Sequence, residues 1–124
     1  MADKRPKNLD LLTIRFPLTA IASILHRLSG FILFFFIPLL LWVLGESLSS
    51  PDRFNEIHAF LTQPFAKFCV WVMLSAFAYH FVAGIKHLLM DIHIGDTLKG
   101  GHLAALLTLA ISGFLIAGLG IWLW

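Results

Sequence analysis

Two ionisable side chains stand at the head of a long apolar run in the stretch Ala22-Ser23-Ile24-Leu25-His26-Arg27-Leu28-Ser29-Gly30. Residues 31–44, which follow it, are aliphatic or aromatic apart from one proline. A charge carried to membrane depth costs about 2.5 kcal/mol or more on insertion scales, so such a residue usually has a partner or a function. A second polar stretch, His80-Phe81-Val82-Ala83-Gly84-Ile85-Lys86-His87, stands near the end of the next apolar run.

The composition predicts a membrane protein. Of the 124 residues, 59% are hydrophobic and only 13% are charged, which is more apolar surface than a soluble domain of this size can bury. Runs of 18 and 22 residues span about 27 and 33 Å as helices, close to the thickness of a bilayer core. Three runs of these lengths lack Lys, Arg, Asp and Glu: Leu28–Gly45, Phe68–Ile85 and Leu103–Trp124. We therefore expect an all-α membrane protein with three transmembrane helices.

Proline and glycine residues predict where the helices begin and end. A polar, basic tail covers residues 1–17, and the transmembrane domain covers residues 18–124, with helices at about 18–48, 65–90 and 102–124. Ser50-Pro51 begins a short amphipathic helix that we expect to lie in the interface. Asp91–Gly101 is predicted to be a loop, and Gly113 and Ala117 form a small face on which another helix can pack.

The basic residues predict the orientation and exclude one class of partner. Seven of the nine Lys and Arg residues fall on the side of the tail and the second loop, and only Arg53 and Lys67 fall on the other. The positive-inside rule then places the N-terminus in the cytoplasm and the C-terminus outside. Because the basic residues flank the spans and form no separate patch, the net charge of +2 does not indicate a nucleic-acid partner.

The first polar stretch offers hydrogen-bond donors on one helix face. Ser23 stands three residues before His26 and four before Arg27, so the three side chains can share a face. A hydroxyl beside a guanidinium can bind a quinone carbonyl, a haem propionate or a lipid phosphate. The alternative is that Arg27 only extends to the lipid headgroups.

His80 lies in an otherwise apolar segment and is a candidate ligand for haem iron. Gly84, one turn further on, would let a flat macrocycle approach the backbone. The alternative is that His80 only hydrogen-bonds a neighbouring helix. A second axial ligand would come from His26 or from another subunit. His87 either pairs with an anionic group or is solvated.

The motifs together resemble those of a known family, the cytochrome b556 membrane-anchor subunits of succinate dehydrogenase, respiratory complex II. The resemblance covers nearly the whole chain and is closest to proteobacterial members. Lys86 stands where arginine is common, and His93 where a small residue is common. Two sets of residues carry the resemblance: Arg5-Pro6, Asn8-Leu9-Asp10, Ile14-Arg15-Phe16-Pro17 and residues 23–30 in the first half, and residues 80–91 in the second.

The resemblance implies roles for the polar residues. His80 would be an axial ligand of haem b, and the second axial histidine would come from a partner anchor subunit. Ser23 and Arg27 would line the ubiquinone site. His26, Arg27 and His87 would lie beside the haem propionates or the haem edge.

The resemblance also implies partners and a location. The chain would join a second anchor subunit, an iron–sulfur subunit and a flavoprotein subunit, within a multi-subunit helical bundle in the bacterial inner membrane. It carries no motif for a flavin or an iron–sulfur cluster, so we expect it not to be catalytic alone. The alternatives are the anchor of a fumarate reductase, or a non-redox scaffold or transporter subunit whose histidines only hold helices together.

Overall fold

The computed structural model describes residue 10 and residues 12–124. In this part of the chain four helices follow one another, with no strand: α1 (Leu18–Ser49), α2 (Pro51–Leu61), α3 (Pro64–Asp91) and α4 (Leu98–Leu123). Helices α1, α3 and α4 are each long and apolar enough to cross a membrane. The expected all-α fold with three candidate spans is confirmed. Most of the basic tail predicted for residues 1–17 lies outside the described residues.

Prolines and capping hydroxyls fix the helix starts. Pro17 immediately precedes α1, and Pro51 and Pro64 occupy the first turns of α2 and α3, where the missing N–H has no intrahelical partner to lose. The Ser50 hydroxyl caps α2 by accepting from the Arg53 amide at 3.1 Å. At the same place, Arg53 pairs with Glu46 of α1 and with Glu56 of α2. These carboxylates raise the pKa of Arg53 above its ordinary value, chiefly through the hydrogen bond that Arg53 donates to Glu56.

Helix α4 begins four residues earlier than the sequence predicted, at Leu98 instead of about His102. The Thr97 hydroxyl caps the helix by accepting from the Gly100 amide at 3.0 Å. Gly100 and Gly101, which predicted a loop, lie in the first turn of α4. A Cβ at Gly100 would stand 2.8 Å from the Gly95 backbone, so this glycine permits a close approach of the preceding loop.

The turn between α3 and α4 gives His93 a conformational role. The Ile94 amide donates to the Leu89 carbonyl and the His93 amide to the Met90 carbonyl, which is the Schellman pattern of a helix C-terminus. His93 takes the left-handed position of that motif with φ 63°, where glycine is the usual residue. Its Nδ1 lies 3.0 Å from Asp96 Oδ2.

Small residues form the core, and large apolar residues face outward. Ala22 on α1, Ala83 on α3 and Ala105 on α4 are buried, whereas phenylalanines and leucines along all three spans are exposed. Close packing through small side chains with an apolar exterior is typical of helices in lipid. The predicted small face of Gly113 and Ala117 is exposed in this chain. The buried face of α4 is instead made by Gly101, Ala105, Thr108 and Ser112.

Candidate functional site

The two polar stretches meet between α1 and α3. The imidazoles of His26 and His80 are stacked, with ring centroids 4.2 Å apart and planes 16° apart. The ring of His87 lies against that of His26, with centroids 4.9 Å apart. Three histidines that are distant in the sequence therefore form one cluster between two candidate spans.

His80 is held by α1 through its Nδ1 atom. This nitrogen lies 3.0 Å from Ser29 Oγ and 3.1 Å from the His26 carbonyl oxygen. Ser29 Oγ also donates to that carbonyl, at 2.7 Å. The Nε2 atom of His80 has no hydrogen-bond partner among the described residues, so it remains available as a ligand.

Two glycines shape the space around these rings. A Cβ at Gly30 would stand 2.9 Å from Cε1 of His80, closer than carbon atoms pack. Gly30 therefore allows the Cε1–Nδ1 edge of the His80 ring to approach α1 closely. A Cβ at Gly84 would meet only His26 Nε2, at 3.9 Å. His26 Nε2 is itself buried without a hydrogen-bond partner in the described part of the chain.

Ser23 and Arg27 lie on the same helix as His26 but form no hydrogen bond with His80. Successive residues of an α-helix are rotated by about 100° about its axis. Ser23 and Arg27 therefore lie on one side of His26 around α1, and the buried Ala22 and Ser29 lie on the other side. Ser23 is half-buried and Arg27 is exposed. Neither side chain has a hydrogen-bond or ion-pair partner within residues 12–124. The site thus presents a hydroxyl and a guanidinium that are free to bind a group from outside the chain.

Two residues that our sequence analysis did not assign to the site help to build it. Ser29 is buried and contacts His80, although it stands within the first polar stretch. The Tyr79 hydroxyl donates to the Ala22 carbonyl at 2.7 Å, which ties α3 to α1 next to His80. Ser29 and Tyr79 each carry a hydroxyl within an apolar run. Because buried polar groups require partners, this feature could have identified both from the sequence.

The described residues offer unpartnered imidazole nitrogens on His26 and His80 but no larger metal set. No group of three or more His, Cys, Asp or Glu side chains among them could hold a metal ion. Lys86 is buried on α3, and no described carboxylate pairs with it. Because these nitrogens do not form a complete ligand set, any metal group here needs ligands from outside the described residues.

The fold and the site define a class, a small helical membrane protein with imidazole, hydroxyl and guanidinium groups gathered at one pair of candidate spans. A family model described as "Succinate dehydrogenase/Fumarate reductase transmembrane subunit" matches residues 1–119. The chain belongs to this family.

Curated relatives give the same result. One from Coxiella burnetii is 40% identical over 125 residues and covers all of both chains. One from Rickettsia felis is 35% identical over 97 residues, which is 78% of this chain and 75% of the relative. One from Paracoccus denitrificans is 31% identical over 98 residues, with 79% and 75% covered. All three are named succinate dehydrogenase cytochrome b556 subunit.

Proposed function

We propose that this chain is a membrane-anchor subunit of a succinate:ubiquinone oxidoreductase, that it shares haem b with a second anchor subunit, and that it forms part of the ubiquinone-reducing site. The observation that carries the proposal is the hydrogen bonding of the two ring nitrogens of His80. Its Nδ1 is engaged by α1 while its Nε2 is unpartnered, which is how protein histidines present a nitrogen to a metal.

The cluster fits one side of a haem. His80 would ligate the iron, and the orphaned Nε2 of His26, together with His87 and Arg27, would serve the propionates or the haem edge. Bound haem supplies a one-electron redox centre within the membrane. His26 is not suited to be the opposite ligand, because its ring lies face to face with that of His80 at 4.2 Å. A histidine of a second anchor subunit would supply the remaining ligand.

Ser23 and Arg27 are proposed to bind ubiquinone. Both are donors without partners in the described chain. Ser23 would donate to a quinone carbonyl, and Arg27 would polarise that carbonyl and stabilise negative charge as electrons arrive. The remaining part of the pocket would come from neighbouring subunits.

The other redox groups belong to partner subunits. Iron–sulfur clusters are usually held by four cysteine thiolates, and this chain has one cysteine, Cys69. The electrons would therefore pass from a flavoprotein subunit through an iron–sulfur subunit to the site described here. The excess of Lys and Arg in the tail and in the second loop supports docking of those subunits on the cytoplasmic side.

The family also includes fumarate reductases, whereas the relatives above are named for succinate dehydrogenase. We therefore favour succinate oxidation. Purified complex that reduces ubiquinone with succinate faster than it reduces fumarate with a quinol would support this direction, and the reverse ratio would contradict it.

The quinone site is tested by separating two activities of the assembled complex. In the Arg27→Ala and Ser23→Ala variants, succinate:ubiquinone activity should fall by about 10²-fold for the arginine, and by less for the serine, while succinate oxidation by an artificial dye persists. Arg53→Ala, in α2 beyond the opposite end of α1, is the matched control and should retain both activities. Equal loss of both activities in the Arg27 variant would indicate an assembly defect and would refute its role at the quinone.

A further inference from the structure

We infer that Ser29 is a positioning residue for His80: it holds the imidazole in the tautomer that carries its proton on Nδ1, and so leaves Nε2 as the ligating atom. This inference rests on the proposed function, in which His80 ligates haem iron. It adds a residue to the site that neither the spacing of the histidines nor the family comparison assigns.

The proton positions follow from the distances. The Ser29 hydroxyl has one proton, and its shortest contact is the 2.7 Å bond that it donates to the His26 carbonyl. Its oxygen can therefore only accept from His80 Nδ1, 3.0 Å away. The carbonyl, 3.1 Å from the same nitrogen, can also only accept. A lone pair on Nδ1 would face two acceptors, so the proton lies on Nδ1.

Burial makes this hydrogen-bond arrangement hard to replace. Ser29 is 5% exposed and lies within a candidate membrane span, where no bulk water is present to satisfy a polar group. The ring is also confined sterically, since Gly30 lets it lie against α1. Ser29 thus acts on the haem through His80 and needs no contact with the iron.

The chain offers an isosteric pair of substitutions that isolates the hydroxyl. Ser29→Thr keeps the hydroxyl and adds a methyl group. Valine has nearly the same shape as threonine but lacks the hydroxyl, so Ser29→Val differs from Ser29→Thr mainly in that group. A cavity of about 420 Å³ adjoins Ser29 between α1, α3 and α4, which leaves room for the added methyl. Ser47→Ala is the control, because Ser47 donates to a carbonyl three residues earlier on the same helix but lies about 27 Å further along α1 than Ser29.

The experiment compares these variants in the assembled complex at equal flavin content. We expect haem affinity about 10-fold lower in Ser29→Val, with shifted g values of the ferric low-spin electron paramagnetic resonance signal. The haem midpoint potential should move upward, because His80 loses an acceptor that raises its basicity. Ser29→Thr and Ser47→Ala should match the wild type in all three measurements.

Two outcomes would refute the role of Ser29 without refuting the proposed function. If Ser29→Val and Ser29→Thr both retain wild-type affinity, g values and potential, Ser29 does not position the ligand. If both change equally, the added methyl is responsible and the inference also fails. In either case, a His80→Ala variant with altered g values would leave the haem-ligand assignment standing. Unaltered g values in His80→Ala would instead overturn the ligand assignment itself.

Discussion

Gly30→Ala tests how closely the His80 ring must approach α1. The added Cβ would stand 2.9 Å from Cε1 and 3.4 Å from Nδ1 of His80. Carbon atoms pack at about 3.5–4.0 Å, so the ring would have to retreat by about 0.6 Å or more. The substitution leaves every polar group of the site in place and changes only the position of the ring.

The retreat has a calculable consequence. The Nδ1 atom of His80 now lies 3.0 Å from Ser29 Oγ and 3.1 Å from the His26 carbonyl oxygen. Moving the ring away from α1 would lengthen both contacts beyond hydrogen-bond range. Each such bond contributes about 0.5–1.5 kcal/mol, and overpacking of a tight site costs about 1–3 kcal/mol. Loss of support for a metal ligand lowers affinity about 10–100-fold. We expect haem affinity in the assembled complex to fall within that range.

The assay is haem content per flavin in complex purified across a range of haem supply. Gly45→Ala is the matched control, because a Cβ at Gly45 meets nothing within 4 Å and the same helix is altered. A Gly30→Ala complex with wild-type haem affinity and wild-type low-spin g values would refute the claim that close contact with α1 positions the ring.

Three further substitutions test separate contacts. Gly84→Ala leaves ordinary van der Waals distances within this chain, so a 10-fold loss of haem per flavin would show that a flat group lies over Gly84, whereas wild-type content would contradict this. Tyr79→Phe removes the 2.7 Å bond to the Ala22 carbonyl and should cost about 1–3 kcal/mol, seen as a lower midpoint of thermal inactivation; an unchanged midpoint would contradict it. His93→Gly should raise that midpoint, since relief of a left-handed non-glycine residue is worth about 1 kcal/mol; a lower midpoint would show that the contact with Asp96 matters more.

Much of the fold could be predicted because it depends on local composition. The three charge-free runs predicted the spans, and Pro17, Pro51 and Pro64 predicted the helix starts. The start of α4 could not be placed, because Gly100 and Gly101 usually signal a loop. Their helical state depends on the Thr97 cap and on the close approach of Gly95, which is a contact between segments.

The site could be predicted in outline only. The first predicted span begins and the second ends on the cytoplasmic side, so the sequence indicates that the stretches around His26 and His80 lie at a similar depth. The rotation of each helix about its axis is not encoded in depth, so the contact of Ser29 with His80 was not foreseen. The same limit applies to α4, where spacing alone does not show which small residues face the neighbouring helices of this chain. Gly113–Ala117 and Gly101–Ala105 have the same spacing, and only the packing against neighbouring helices distinguishes them.

The most direct test of the account is the low-spin electron paramagnetic resonance spectrum of the assembled complex carrying His80→Ala. The g values matter more than haem content, because the ring of His26, 4.2 Å from that of His80, is close enough to replace the lost ligand. His58→Ala, on the exposed side of α2, is the control. The account predicts g values that shift or vanish in His80→Ala and persist in His58→Ala. Wild-type g values and wild-type haem content in His80→Ala would contradict it.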